Sequence, residues 1–192
     1  MKPIIYIYNQ FFVIIILYLL LFMEIDDPFH IEENIVRVLS RNKNADFIGS
    51  GLQIKNDDSC DVIMTKTLVF PKDIRCDKIG SGLSPLLAVP FSLPQNCGIE
   101  GIPRDAINTD PVIPNDKFFL SGYFDAYNNN IERLEVIVCD PCQIKIISGK
   151  GTYHGGIIWS NHGIVGCVYG RSTTHKDVLF YSPSKQILEA LP

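Results

Sequence analysis

Along most of the chain, short apolar runs with polar alternation are separated by turn residues. Ile35-Val36-Arg37-Val38-Leu39 is β-branched and alternating, which predicts a strand. Residues 47–54 read as a second strand with a Gly-rich bend at Gly49-Ser50-Gly51, and 61–65 as a third. Between them, Asn42 to Asn44 and Asn56 to Asp58 are turn-forming clusters. The middle of the chain carries Gly80, Gly82, Pro85, Pro90, Pro94, Gly98, Gly101 and Pro103, leaving room only for short pieces such as 86–91. Pro111 to Asp116 divides the chain into halves. The second half predicts strands at 117–124, 131–139, 142–147, 155–159, 164–169 and 178–181. Short strands about 8–12 residues apart, with turn signals between them, point to a sandwich or a barrel. Residues 184–191 predict one or two helical turns, with Ser184 as the N-cap.

The N-terminus departs from this pattern. From Pro3 to Met23 nearly every residue is apolar, and the unbroken part, Phe11 to Met23, is 13 residues long. A spanning helix needs roughly 20 apolar residues, and a secretory core about 7–15. Lys2 precedes the stretch, Glu24, Asp26 and Asp27 follow it, and bulky Leu21-Phe22-Met23 offers no small-residue cleavage site. The expectation is an uncleaved signal anchor over residues 1–24, with membrane contact through 3–23 and a membrane or secretory location. A cleaved signal peptide is the first alternative. The second is a buried segment or a misassigned start codon, which would make the protein soluble and intracellular.

Composition narrows the class. With 192 residues, 46% hydrophobic and 20% charged, the chain can build a core and is not disordered as a whole. Its 17 basic against 21 acidic residues give a net charge of -4. That balance supplies no general field for phosphates, so no nucleic-acid partner is expected. The cysteines at 60, 76, 97, 139, 142 and 167 permit disulfides without fixing a pairing. Cys139-Asp140-Pro141-Cys142 is a CxxC. With His154, His162, Cys167 or His175 it could hold zinc, but the spacing matches no finger and no second CxxC exists. A redox role is weakened by the lack of a following helix. Structural thiols or a disulfide is the favoured reading, and neither metal nor cofactor is expected. Asp140 with His154 is a weaker acid/base candidate. Ser148-Gly149-Lys150-Gly151-Thr152 has the composition of a phosphate loop but not its spacing. Trp159, Phe118, Phe119, Tyr123, Phe124 and Tyr127 are expected in a barrel core rather than a ligand cage.

Two segments resemble the trypsin-like peptidases, and more closely their HtrA/Deg branch. The first is Ile35-Val36-Arg37-Val38, then Gly49-Ser50-Gly51-Leu52-Gln53-Ile54, then Val62 to Val69, beside the family's "VVRV", "GSGFVI" and "ILTNAHVV". The second runs from His154-Gly155-Gly156 through Asn161-His162-Gly163 to Val165-Gly166-Cys167, beside "SGGPLFNxxGxVVG". The resemblance implies an all-β fold of two small antiparallel β-barrels, full or abbreviated, preceded by the N-terminal hydrophobic helix. The domains would be 1–24, 25–110 and 111–192.

It also implies an altered site. The family's chemistry needs a hydroxyl nucleophile, a His base and an orienting Asp. The corresponding positions here are His154 for the nucleophile, Leu68 for the base and the region of Ser84 for the acid. Leucine cannot take a proton. Thr152, Tyr153, Gly155 and Gly156 would form the oxyanion-type loop. The expectation is a homologue without catalysis that binds an extended peptide or protein segment. One alternative is an active hydrolase whose nucleophile is Cys60, Ser84 or Ser148. Another is a membrane-anchored structural β-domain unrelated to peptidases.

Overall fold

The structure, a computed structural model, describes residues 27–39, 47–55, 60–65, 85–91, 101–125, 128–147, 151 and 153–192. The hydrophobic segment 1–24 lies outside them. Among the described residues no helix is long and apolar enough to cross a membrane.

The expected strands of the first half form one antiparallel sheet in the order β1 (Ile35–Leu39), β2 (Phe47–Lys55), β3 (Cys60–Thr65) and β4 (Leu86–Phe91). Leu52 pairs with Ile35 on one side and with Ile63 on the other, so apolar side chains from three strands share a face. The opposite face of β2 is also covered. A Cβ on Gly51 would lie 2.7 Å from Val62, and Gln53 is buried.

The second half closes on itself. Strands β5 (Lys117–Gly122), β6 (Glu132–Asp140), β7 (Gln143–Ile146), β8 (Ile157–Ser160), β9 (Gly163–Arg171) and β10 (Val178–Pro183) form a barrel in the order β10-β7-β6-β5-β8-β9. Closure pairs every strand on both sides and removes the open edges. The all-β expectation therefore holds, with a closed barrel beside a smaller sheet.

The chain crosses between the two units through 101–116. Ile102 bridges β2 at Ile54, a 3-10 turn follows at Arg104–Ala106, and Ile107 bridges β9 at Ile164. Two cores result. Leu120, Val136, Ile144, Ile158, Val165 and Leu179 fill the barrel interior. Leu52, Ile54, Ile63, Ile157, Trp159 and Ile164 fill the space between sheet and barrel. Strands β8 and β9 serve both cores with alternate residues, which explains the unbroken apolar run Ile157-Ile158-Trp159. Trp159 is fully buried, as core rather than as a cage, but in the layer outside the barrel.

Several boundaries shift by a residue or more from the sequence expectation, and three of the shifts have a visible cause. Strand β5 stops at Gly122 because the Tyr123 N–H leaves the ladder for the Ser50 hydroxyl, 2.8 Å away. Strand β8 begins at Ile157, since Gly155 adopts φ +77 and His154-Gly155 is a turn. The helix α1 (Ser184–Ala190) has Pro183 as its cap residue. Ser184 is the first helical residue, with its side chain buried, and so is not the N-cap. Proline's fixed φ of -60 suits that half-in position.

Candidate functional site: the His154 loop

The tightest joint between sheet and barrel is made by the loop Tyr153-His154-Gly155-Gly156. The Ser50 N–H donates to the His154 carbonyl at 3.0 Å, and the Ser50 hydroxyl accepts the Tyr123 N–H at 2.8 Å. One strand residue of the sheet thus holds two barrel loops. Glycine is required for this approach. A Cβ on Gly155 would fall 1.8 Å from the Ser50 carbonyl oxygen, at a backbone angle that side chains rarely adopt. The Gly155 N–H donates to Val168 O at 2.8 Å, and the Gly156 N–H to Tyr153 O at 3.0 Å. The first ties the loop to the barrel wall at β9, and the second closes the turn on itself.

The His154 side chain is half-buried. Its Nδ1 lies 3.1 Å from the Tyr169 carbonyl on β9. A carbonyl can only accept, so this bond places the proton on Nδ1 and leaves Nε2 with its lone pair. Burial pushes the His154 pKa below the usual histidine value, against the opposing pull of the Tyr169 carbonyl. The ring is accordingly neutral at pH 7. Beside it, Tyr153 is buried against Phe124, with ring centroids 4.9 Å apart. The Arg171 guanidinium lies 5.4 Å from the Tyr153 ring centroid.

A second joint lies around Trp159. Glu32, in a 3-10 turn just before β1, receives Arg133 Nε at 2.7 Å on Oε1 and Arg133 Nη2 at 2.6 Å on Oε2. The Ser121 hydroxyl donates to the same Oε1 at 2.5 Å and accepts the Trp159 indole N–H at 2.9 Å. Burial works to raise the Glu32 pKa, but the hydrogen bonds from Arg133 and Ser121 outweigh it and hold the carboxyl below its usual value. Arg133 also stands 5.0 Å from the Trp159 ring centroid.

The fold has solved counterparts. Structures of the Rv3671c protease from M. tuberculosis align with this chain in both forms. The active form shows TM-score 0.54 and 14% identity over 84% of this chain and 81% of that one. The inactive form shows TM-score 0.53 and 13% identity over 87% and 92%. The serine endoprotease of Yersinia pestis aligns with TM-score 0.58 and 16% identity over 83% of this chain and 61% of that one. The fold is that of the trypsin-like serine proteases. No protein-family model and no curated protein matches the chain.

Within this trypsin-like fold, the residues singled out in the sequence separate. His154, Tyr153, Gly155 and Gly156 form one turn, whereas Leu68, Ser84 and Thr152 lie outside the described residues. Ser148 and Lys150 also lie outside them, and Cys60 is buried in β3. Asp140 does not meet His154. Its Oδ1 accepts the Cys142 N–H at 2.9 Å, at the far end of β6. His162 and His175 are exposed in separate turns, and no group of three or more metal-ligating side chains forms among the described residues.

Two of the joints carry different signals in the sequence. Ser50 had a visible signal, the small triplet Gly49-Ser50-Gly51, which permits close backbone approach. The Glu32–Arg133 clasp had none, because its partners are 101 residues apart.

Proposed function

We propose that this protein is a catalytically inert trypsin-like peptidase homologue, of the HtrA/Deg type, that binds an extended peptide or protein segment. The observation that carries this reading is His154. It heads the Gly-Gly turn where the resemblance sets a hydroxyl nucleophile, and its Nδ1 is committed to the Tyr169 carbonyl. The sequence adds Leu68 at the expected base and no carboxylate within Ser84 to Ala88, with Asp77 upstream in no recognisable pattern. An imidazole with Nδ1 tied to a backbone carbonyl cannot form the hydroxyl–imidazole–carboxylate relay. What supports the binding role is a sheet beside the barrel in which β1 and β4 are the outer strands among the described residues, the kind of element that takes an extended peptide through main-chain hydrogen bonds.

Two assays on the full chain test the two parts. A fluorophosphonate probe and a casein digest should show neither labelling nor cleavage. Unfolded, fluorescein-labelled casein should raise its anisotropy when the protein is added. Labelling of any serine, or casein cleavage lost in Ser148→Ala or Cys60→Ala, would overturn the inert reading. Unchanged anisotropy at saturating protein would overturn the binding role.

A further inference from the structure

The CxxC is left without a role by the site around His154. We propose that Cys139 and Cys142 form a dithiol pair that a small-molecule disulfide oxidises to a reversible intramolecular disulfide. Both thiols are free and exposed. They sit at the tip of the β6–β7 hairpin, where Asp140 pairs with Gln143. The ladder slips between Val138 and Asp140, so Cys139 is the extra residue of a bulge directly beside the turn that contains Cys142.

The tip is held in place. Asp140 Oδ1 accepts the Cys142 N–H at 2.9 Å, and the Cys142 carbonyl accepts the Tyr181 N–H of β10 at 3.0 Å. The other two described cysteines differ. Cys60 and Cys167 are buried, and burial pushes the Cys167 thiol up to about 12. A thiol so disfavoured as thiolate does not attack disulfides.

The chemistry is two successive exchanges. The Cys139 thiolate attacks one sulfur of oxidised glutathione, forming a mixed disulfide and releasing one glutathione thiolate. Cys142 then loses its proton and displaces the second glutathione from Cys139. Two S–H bonds are lost, one protein S–S bond forms, and one glutathione disulfide is reduced to two thiols. Burial and the Asp140 carboxylate raise the Cys142 thiol, which disfavours it as the first attacking group.

The test treats the full chain with oxidised glutathione, followed by intact mass and non-reducing peptide mapping. The expected product has lost two hydrogens and yields a 139–142 cross-link that a monothiol or phosphine reductant reverses. Cys139→Ser and Cys142→Ser should each abolish that cross-link and leave a persistent glutathione adduct on the surviving thiol. Adducts on both thiols without a cross-link would overturn the proposal. So would unreacted thiols at both positions, or cross-links from either one to another cysteine. None of these outcomes bears on the peptidase-homologue reading, which uses neither residue.

Discussion

The His154 loop and the Trp159 strip both fasten the first sheet to the barrel, but they do so with different materials. The loop uses main chain. Ser50 and His154 meet through an N–H and a carbonyl, and Gly155 exists to let them approach. The strip uses side chains. Glu32, Arg133, Ser121 and Trp159 reach across from four separate elements to form one hydrogen-bonded chain. A main-chain joint tolerates almost no change at its glycines and is indifferent to many side chains. A side-chain joint degrades in steps, because each partner can be rehydrated or replaced.

That contrast can be broken by substitution. The largest effect is expected at Gly155→Ala. A methyl placed 1.8 Å from the Ser50 oxygen, at φ +77, must displace a strand. A loss on the order of 4 kcal/mol or more is expected in chemical denaturation. A loss under about 1 kcal/mol would show that the loop gives way easily and is no rigid joint. Trp159→Ala should follow, at roughly 3–5 kcal/mol, since it leaves a large cavity and removes a donor from Ser121. Its expected signature is a lower denaturation midpoint.

Glu32→Gln should cost about 1.5 kcal/mol at pH 7, as a charge-assisted bidentate pair becomes a neutral one. The sign with pH is definite. The folded carboxyl titrates below 4.5, so its stabilisation is complete above that value and is lost as pH falls through the folded pKa. The gap between wild type and Glu32→Gln should therefore close in acid. A gap that does not begin to narrow below about pH 4.5 would mean the charge is not what matters.

The smallest effect belongs to His154. Its folded pKa is depressed below 6.5, so the unfolded chain takes up the proton first. Wild-type stability should fall as pH drops below about 6.5 and level off below the folded value. His154→Gln should flatten that slope between pH 7.5 and 5. An identical slope in the variant would assign the pH dependence to other groups.

Much of the fold was legible because strands announce themselves locally. Ile35 to Leu39 alternates, Ile157-Ile158-Trp159 is apolar throughout, and Asn161-His162-Gly163 marks a hairpin. Gly163 has φ +114, and a Cβ there would meet the Ala106 oxygen at 2.2 Å. Half of the His154 joint was legible too, since Gly155-Gly156 and Gly49-Ser50-Gly51 signal close backbone approach before any partner is known. What the pattern could not give was where neighbouring loops take over. Tyr123 looks like a strand residue, and only the Ser50 hydroxyl ends β5 ahead of it. Ser184 looks like a cap, yet Pro183 already has the required backbone angles.

By itself, then, the chain's residue order determined the strands, the turns and the glycines that permit close contact, because period and steric freedom are properties of neighbouring residues. The tertiary structure alone decided that Glu32 meets Arg133, that His154 spends its Nδ1 on Tyr169, and that Trp159 lies outside the barrel. These pairings depend on which surfaces the closed barrel turns toward the sheet. No local pattern encodes that choice, since it arises from packing the whole chain at once.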